Sequence, residues 1–291
     1  MYLEHPYFQS PENKEAKIWR YMDIAKFLSL LDNKALHFTR SDLLDDRFEG
    51  SIPCSEEQKA LNIKSSEIVF DWEYPDSTDP IKIRVKKLIK DAMKSHPFHP
   101  KDSGLKKSVY VCCFNMSKFE SAALWSLYTK DKQGVAIQST FNQLCNCFND
   151  YKENNVAIGL INYIDYTKQT LEAINPVAPA VETAISNRLP PNSYPLLRFF
   201  HKRKSFEHEH ELRALIAFPI ELQKFLLPPL DKIDQMPVDL TIPVNLEILI
   251  EKIYIAPESP AWIKELLTSV LKKYGINKVL WESDLDKDPV F

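Results

Sequence analysis

The sequence predicts an α+β fold: a mixed, largely antiparallel central sheet flanked by helices, with helical insertions. Three observations carry this. Segments rich in branched and aromatic residues, Lys17 to Met22 (KIWRYM), Ser108 to Phe114 (SVYVCCF) and Gly134 to Gln138 (GVAIQ), have strand character. Between them stand segments whose apolar residues recur at helical spacing. Near the C-terminus, Lys252 to Ala256, Pro260 to Tyr274 and Lys278 to Trp281 read as strand, helix and strand, the length of a crossover onto a sheet.

Taken in order, KIWRYM is a short strand with one conspicuous charge, Arg20. A helix follows, with Asp23 as its N-cap, Ile24, Phe27, Leu28 and Leu31 on one face, and Asn33 at its end. Ala35 to Thr39 is a strand with Leu36 and Phe38 on one side, leading into the turn-rich, acidic segment Ser41 to Gly50 (SDLLDDRFEG). Residues 55–107 read as a helical insertion within a single domain spanning 1–291. In it, Ile81 to Lys94 has an apolar stripe and a basic outer face, which is either a solvated surface or a phosphate-tracking one. After the SVYVCCF strand, a helix is expected over Phe119 to Tyr128 and a strand from Gly134. Beyond these come a helix over Phe141 to Phe148 and a strand over Val156 to Tyr163. After Tyr166 the pattern is helical, broken by Pro190, Pro191 and Pro195, and proline-rich loops dominate from Pro219 to Asn245.

Composition bounds the function. The chain has 291 residues, 44% hydrophobic and 26% charged, with only five glycines, which is the balance of a globular domain rather than a repeat or a flexible array. A net charge of -3 supplies no global attraction to nucleic acid or anionic membrane, so such binding needs a local patch. The N-terminal residues show no signal-peptide pattern and no run reaches membrane-spanning length, so the expectation is a cytoplasmic protein without a membrane partner. The five cysteines, Cys54, Cys112, Cys113, Cys145 and Cys147, lack zinc-ribbon or redox spacing and are expected as reduced, mostly buried thiols.

Chemistry concentrates in Phe206 to Arg213 (FEHEHELR). As an extended strand it puts Glu207, Glu209 and Glu211 on one face and His208 and His210 on the other. Just before it, Arg198, Lys202, Arg203 and Lys204 are interleaved with phenylalanines. They form a solvated helix end, or they neutralise either the acidic strand or a phosphate-bearing ligand beside it. His208 and His210, with His201 as a third imidazole, have no familiar zinc spacing, and no metal is expected. Trp125 and Tyr128 are core aromatics or the lining of a ligand cleft.

Several blocks in fixed order resemble a bacterial domain family of unknown function: Arg20 and Tyr21 in WRYM, LHFTRSDLLDDRFEG, VYVCCFNMSKFESAALWSLY before GVAIQ, Lys202, FEHEHELRALI and IYIAP. The resemblance covers most of the chain and favours Arg20, Asp46, Glu49, Trp125, Tyr128, Lys202, Glu209, Glu211 and Arg213 as site residues, with Glu207 outside the pattern. Where the family has Asn-Asp-Pro this chain has Asp45, Asp46 and Arg47, so the turn lacks the proline that would impose its geometry, and Phe206 replaces a tryptophan.

More remotely, the layout looks like that of ADP-ribosyltransferases, with NAD as substrate. That resemblance implies Arg20 at the pyrophosphate, Thr39 or Ser41 at the nicotinamide ribose, and Glu209 or Glu211 at the developing oxocarbenium ion, with Tyr21, Trp125 and Tyr128 around the cofactor. It also suggests a toxin or effector of phage defence, with a nucleic-acid or protein acceptor and a defence-system partner. Two other readings use the same residues. One is a metal-dependent nuclease built on Asp46, Glu49, Glu209 and Glu211 with Lys202; the other is a non-catalytic nucleic-acid or partner-binding module in which Arg20, Glu209, Glu211 and Arg213 form a buried ion network.

Overall fold

The computed structural model describes residues 2–3, 8–51, 106–129, 131–168, 194–217 and 236–289. The expected insertion at 55–107 lies outside them apart from its last two residues, as do Cys54 and most of the segment after Tyr166. The elements in chain order are β1 (Tyr2–Leu3), β2 (Lys17–Asp23), α1 (Ile24–Asn33), β3 (Ala35–Arg40), β4 (Val109–Met116), α2 (Ala122–Tyr128), β5 (Gly134–Thr140) and α3 (Phe141–Asn146). Then follow β6 (Val156–Leu160), β7 (Asn162–Ile164), α4 (Tyr194–Leu197), β8 (His201–Arg203), β9 (Glu211–Ala217), β10 (Asp239–Pro243), α5 (Leu246–Leu249), β11 (Lys252–Ile255), α6 (Ala261–Tyr274) and β12 (Leu280–Trp281).

The α+β class holds. One sheet runs β1-β6-β9-β4-β2-β5-β11-β12, with β3 joining β4 and carrying β10. Its pairs are antiparallel except β1 with β6 and β11 with β12. The parallel β11–β12 pair is the expected crossover, with α6 between the strands and Gly275, at φ 68, closing the helix.

Alternation along the strands sorts the core. Tyr110, Cys112 and Phe114 of β4 face one side, where Phe27 and Leu31 of α1, Phe141 and Leu144 of α3, and Ile263 and Leu267 of α6 cover them. Val109 and Val111 face the other side and pack with Leu197, Phe199 and Phe200. Further along that face, Trp19 and Tyr21 of β2 are covered by Leu124 and Trp125 of α2. Cys112 and Cys113 accordingly point to opposite sides, and the described cysteines are thiols.

Several boundaries differ from the sequence reading. The helix expected from Phe119 starts at Ala122, where the Ser121 side chain accepts from Leu124 N. The helix from Phe141 ends at Asn146, and the last strand is only Leu280–Trp281. The Val156 to Tyr163 strand is two strands: Ile161 N–H donates to Glu211 O at 3.0 Å, where β9 begins, and beyond it β7 pairs with β8 in a separate two-stranded sheet. β10 lies in what reads as a proline-rich loop, because Pro237 precedes the β10 ladder and Pro243 ends it, so neither interrupts its centre, and α5 follows directly after that stretch.

One irregularity positions the site. β2 and β4 pair only at Ile18 with Met116 and at Trp19 with Asn115, while β3 meets β4 at Thr39 with Val111 and Arg40 with Tyr110. Between these contacts the sheet is split.

Candidate functional site

A cleft of about 680 Å³ opens at the split, a size usual for small-molecule sites. It is lined by Arg20 and Tyr21 from β2, Thr39 from β3, Cys113 and Asn115 from β4, Tyr128 from α2, and Glu209 and Glu211. Arg20 and the two glutamates, far apart in sequence, therefore converge on one cavity. Arg20 also answers a local need of the split sheet. Its Nη1 donates to Cys113 O at 2.9 Å, capping a β4 carbonyl that β2 no longer reaches, and contacts Cys112 Sγ at 2.8 Å.

The acidic stretch is not one strand. Lys204–Glu209 forms a 3-10 turn, His210 takes a left-handed conformation at φ 40 with its N–H on Glu207 O at 3.1 Å, and β9 begins at Glu211. The face carrying three acids that an extended chain would make does not exist: Glu207 is exposed, as are His208 and His210. Glu209 and Glu211 still come together, because Lys202 on β8 bridges them, with Nζ 2.6 Å from Glu209 Oε2 and 3.2 Å from Glu211 Oε2. The basic segment before the turn thus neutralises the acids, and it is not a solvated helix end. Arg198 is buried and donates through Nε to Gly50 O, and Arg203 Nη2 lies 2.8 Å from Asp46 Oδ1.

Behind the cleft the network continues inward. Arg213, fully buried, donates through Nε to Glu211 Oε1 at 2.6 Å and through Nη2 to Glu49 Oε2 at 3.1 Å, and its Nη1 binds Glu49 Oε1 and Phe199 O. Glu49 is delivered by the turn after β3, where Phe48 N donates to Asp46 Oδ1 at 3.0 Å and Glu49 N to Asp46 O at 2.9 Å. The Asp46 side chain thus organises the turn that a proline at position 47 would otherwise favour.

The electrostatics follow from this packing. Burial works to raise the Glu211 carboxyl, but Arg213 and then Lys202 overcome it and hold it down at about 2. For Glu49 burial wins over Arg213, and the carboxyl is pushed up. Lys202 is desolvated, yet Glu211 and Glu209 raise it and keep it charged. Burial, then Glu211, push the Cys113 thiol well up. Tyr128 rises to about 12 through burial and the negative charge of Glu209.

The expected site residues divide accordingly. Arg20, Tyr21, Thr39, Tyr128, Glu209 and Glu211 line the cleft, whereas Ser41, Trp125, Asp46, Glu49, Lys202 and Arg213 do not. Ser41 is buried with its hydroxyl on Lys106 O at 2.7 Å. Trp125 packs edge-on against Tyr21 and donates to Glu120 Oε2 at 2.8 Å, so it supports the wall formed by Tyr21, whose hydroxyl accepts from Ser121 N. The nuclease arrangement would need Asp46 and Glu49 beside Glu209 and Glu211, but Asp46 is engaged by Arg203 and Glu49 by Arg213. Among the described residues no three His, Cys, Asp or Glu side chains are grouped to hold a metal ion. His201, the imidazole expected beside His208 and His210, is buried, and among the described residues both its ring nitrogens lack a hydrogen-bond partner.

Sequence reasoning missed Asn115, Cys113 and Tyr163, whose hydroxyl accepts from Glu211 N at 2.7 Å. For Asn115 a signal existed: it is the one amide in the strand VYVCCFNM.

Residues 124–214 match the model of a family described as a protein of unknown function, DUF2971. The matched stretch runs from α2 into β9 and includes Trp125, Tyr128, Lys202, Glu209, Glu211 and Arg213, while Arg20, Thr39 and the Asp46–Glu49 turn lie before it. In overall shape the chain is similar to the solved structure of Thermus sp. 2.9 DarT in complex with ADP-ribosylated ssDNA. The identity is 10%, the match covers 94% of this chain and 96% of that chain, and the TM-score is 0.34. No curated protein sequence matches. No described helix is long and apolar enough to cross a membrane.

Proposed function

We propose that the cleft binds NAD and that the protein transfers its ADP-ribose group to an acceptor. The observation that supports this reading is the meeting of Arg20 with Glu209 and Glu211 in one cavity, a cation for the pyrophosphate opposite carboxylates for the ribose. Among the described residues Arg20 hydrogen-bonds only through Nη1, with its guanidinium over the Phe114 ring, leaving Nε and Nη2 for phosphate oxygens. Thr39 offers a hydroxyl to the sugar, and the half-exposed Tyr128 ring offers a stacking face.

The two glutamates differ in availability. Glu211 gives one oxygen to Arg213 and the other to Lys202. Glu209 gives only Oε2 to Lys202, and Oε1 has no ion-pair or hydrogen-bond partner among the described residues. Glu209 is therefore assigned as the carboxylate that meets the reacting ribose, and Glu211 as a positioning residue that fixes Lys202 and, through it, Glu209. In the reaction the bond from C1′ to the nicotinamide nitrogen breaks and its electron pair leaves with neutral nicotinamide. Positive charge builds on the ribose beside Glu209, an acceptor oxygen or nitrogen forms the new bond to C1′, and the acceptor's proton is released to solvent.

In this reading the acceptor is a protein or a nucleic acid, and the protein acts as an effector of phage defence restrained by a partner. The test is nicotinamide release from NAD by the purified full chain, alone and with protein or single-stranded DNA acceptors. Wild-type protein inert under all these conditions refutes the proposal.

A second reading is favoured by the burial of Arg213, Glu49 and Glu211: the ion network is a structural staple within a non-catalytic binding module. The two readings part at Glu209, which a staple built on Arg213 does not need.

A further inference from the structure

Asn115 faces Glu211 across the β4–β9 ladder and Trp19 across the β2–β4 pair. It lines the cleft and is only 6% exposed. Its Nδ2 donates to the backbone oxygen of Glu209 at 2.6 Å. Only the nitrogen of a carboxamide can donate to a carbonyl, so this bond fixes which way the side chain is turned. Oδ1 is then left as a buried acceptor, and among the described residues it has no hydrogen-bond partner. A buried acceptor without a donor is costly, and at the wall of a cleft a ligand donor can satisfy it.

We propose that Asn115 Oδ1 accepts an N–H of the nicotinamide carboxamide, making Asn115 the residue that reads the leaving group. This rests on the NAD reading of the cleft. The choice of donor follows from the neighbours. Ribose hydroxyls beside Glu209 and Glu211 have charged carboxylates as stronger acceptors, whereas Oδ1 is neutral and is tied through Glu209 O to the residue assigned to the reacting ribose. The ligand donor that needs a neutral acceptor there is the amide on the pyridine ring. A site that hydrogen-bonds a polar group rejects a ring lacking it, because its own acceptor is again left unpaired.

The experiment is an NMR titration of the full chain with nicotinamide, with 3-acetylpyridine, in which a methyl group replaces the amide nitrogen, and with ADP-ribose. Wild-type protein is expected to bind nicotinamide about tenfold or more tightly than 3-acetylpyridine. Asn115→Ala and the more conservative Asn115→Ser are expected to bind the two rings equally, whatever ADP-ribose affinity is lost with the bond to Glu209 O. Equal wild-type affinities, or no nicotinamide binding, overturn the proposal without requiring any variant. Weaker ADP-ribose binding in the Asn115 variants, with ring preference kept, places a ribose hydroxyl at Oδ1 and also overturns it. Ring discrimination without cleavage of NAD supports the Asn115 assignment and refutes the transfer reaction, so the two failures are distinct.

Discussion

Arg213 Nε donates to Glu211 Oε1 at 2.6 Å, and neither side chain is more than 3% exposed. The pair lies directly behind the cleft, so its energetics set how firmly the carboxylates at the mouth are held. Because Arg213 and Lys202 outweigh burial at Glu211, the folded carboxyl stays ionised down to about 2 against an ordinary 4.5. A depressed carboxyl stabilises the fold above its unfolded value, and that contribution is lost as pH falls from about 4.5 to about 2. It amounts to about 3 kcal/mol. Glu49 titrates in the opposite sense, because burial raises it, and it offsets part of this loss. Urea unfolding as a function of pH should therefore show a shallower acid limb over that window in Glu211→Gln than in the wild type.

His201 predicts a second, earlier limb. Burial, then the positive charge of Arg213, lower its imidazole from 6.5 to about 4, so the fold holds it neutral. Stability is lost as pH falls from about 6.5 to about 4, by roughly 3 kcal/mol in all. Among the described residues neither ring nitrogen has a hydrogen-bond partner to lose. His201→Leu should flatten the pH dependence in this range while leaving the Glu211 limb below it.

Arg213 cannot be removed alone without leaving Glu49 buried and uncompensated and Glu211 with Lys202 as its one remaining cation among the described residues. Arg213→Met should cost about 3 to 5 kcal/mol in chemical denaturation. Arg213→Lys should recover only part of this, since a single ammonium cannot reproduce the fork that meets Glu211, Glu49 and Phe199 O together.

Gly50 closes the turn that presents Glu49. Its φ is +61, and a Cβ there would collide with the buried Phe199 ring. Left-handed strain and overpacking act together, so Gly50→Ala should destabilise by about 2 to 5 kcal/mol, read as a lowered urea midpoint.

Much of this architecture is legible in the chain. Asp23 caps α1 as its position before an apolar repeat implies, accepting from Lys26 N at 2.7 Å, and Gly275 ends α6. The acids, the cations before them and Arg20 are all conspicuous as charges in apolar surroundings. The backbone of the acidic stretch is not legible, because alternation of Glu and His mimics a strand while the competing fact, a lysine on β8 that draws both carboxylates onto one ammonium, depends on a pairing with β7 far away in sequence. The division between cleft and support is equally non-local. Ser41 and Thr39 are near-equivalent hydroxyls in sequence, and only the register of β3 on β4 places Thr39 in the cavity and Ser41 against Lys106 O.

In the proposed reaction Glu209 acts on the substrate while Glu211 holds it in place. Nicotinamide release from NAD, compared in wild type, Glu209→Gln and Arg20→Ala with thermal unfolding run in parallel, tests it most directly. Glu209→Gln should lose about 100-fold or more in rate while its unfolding temperature stays close to the parent's. A Glu209→Gln protein that releases nicotinamide at the parental rate, or loses activity only together with its fold, would contradict it.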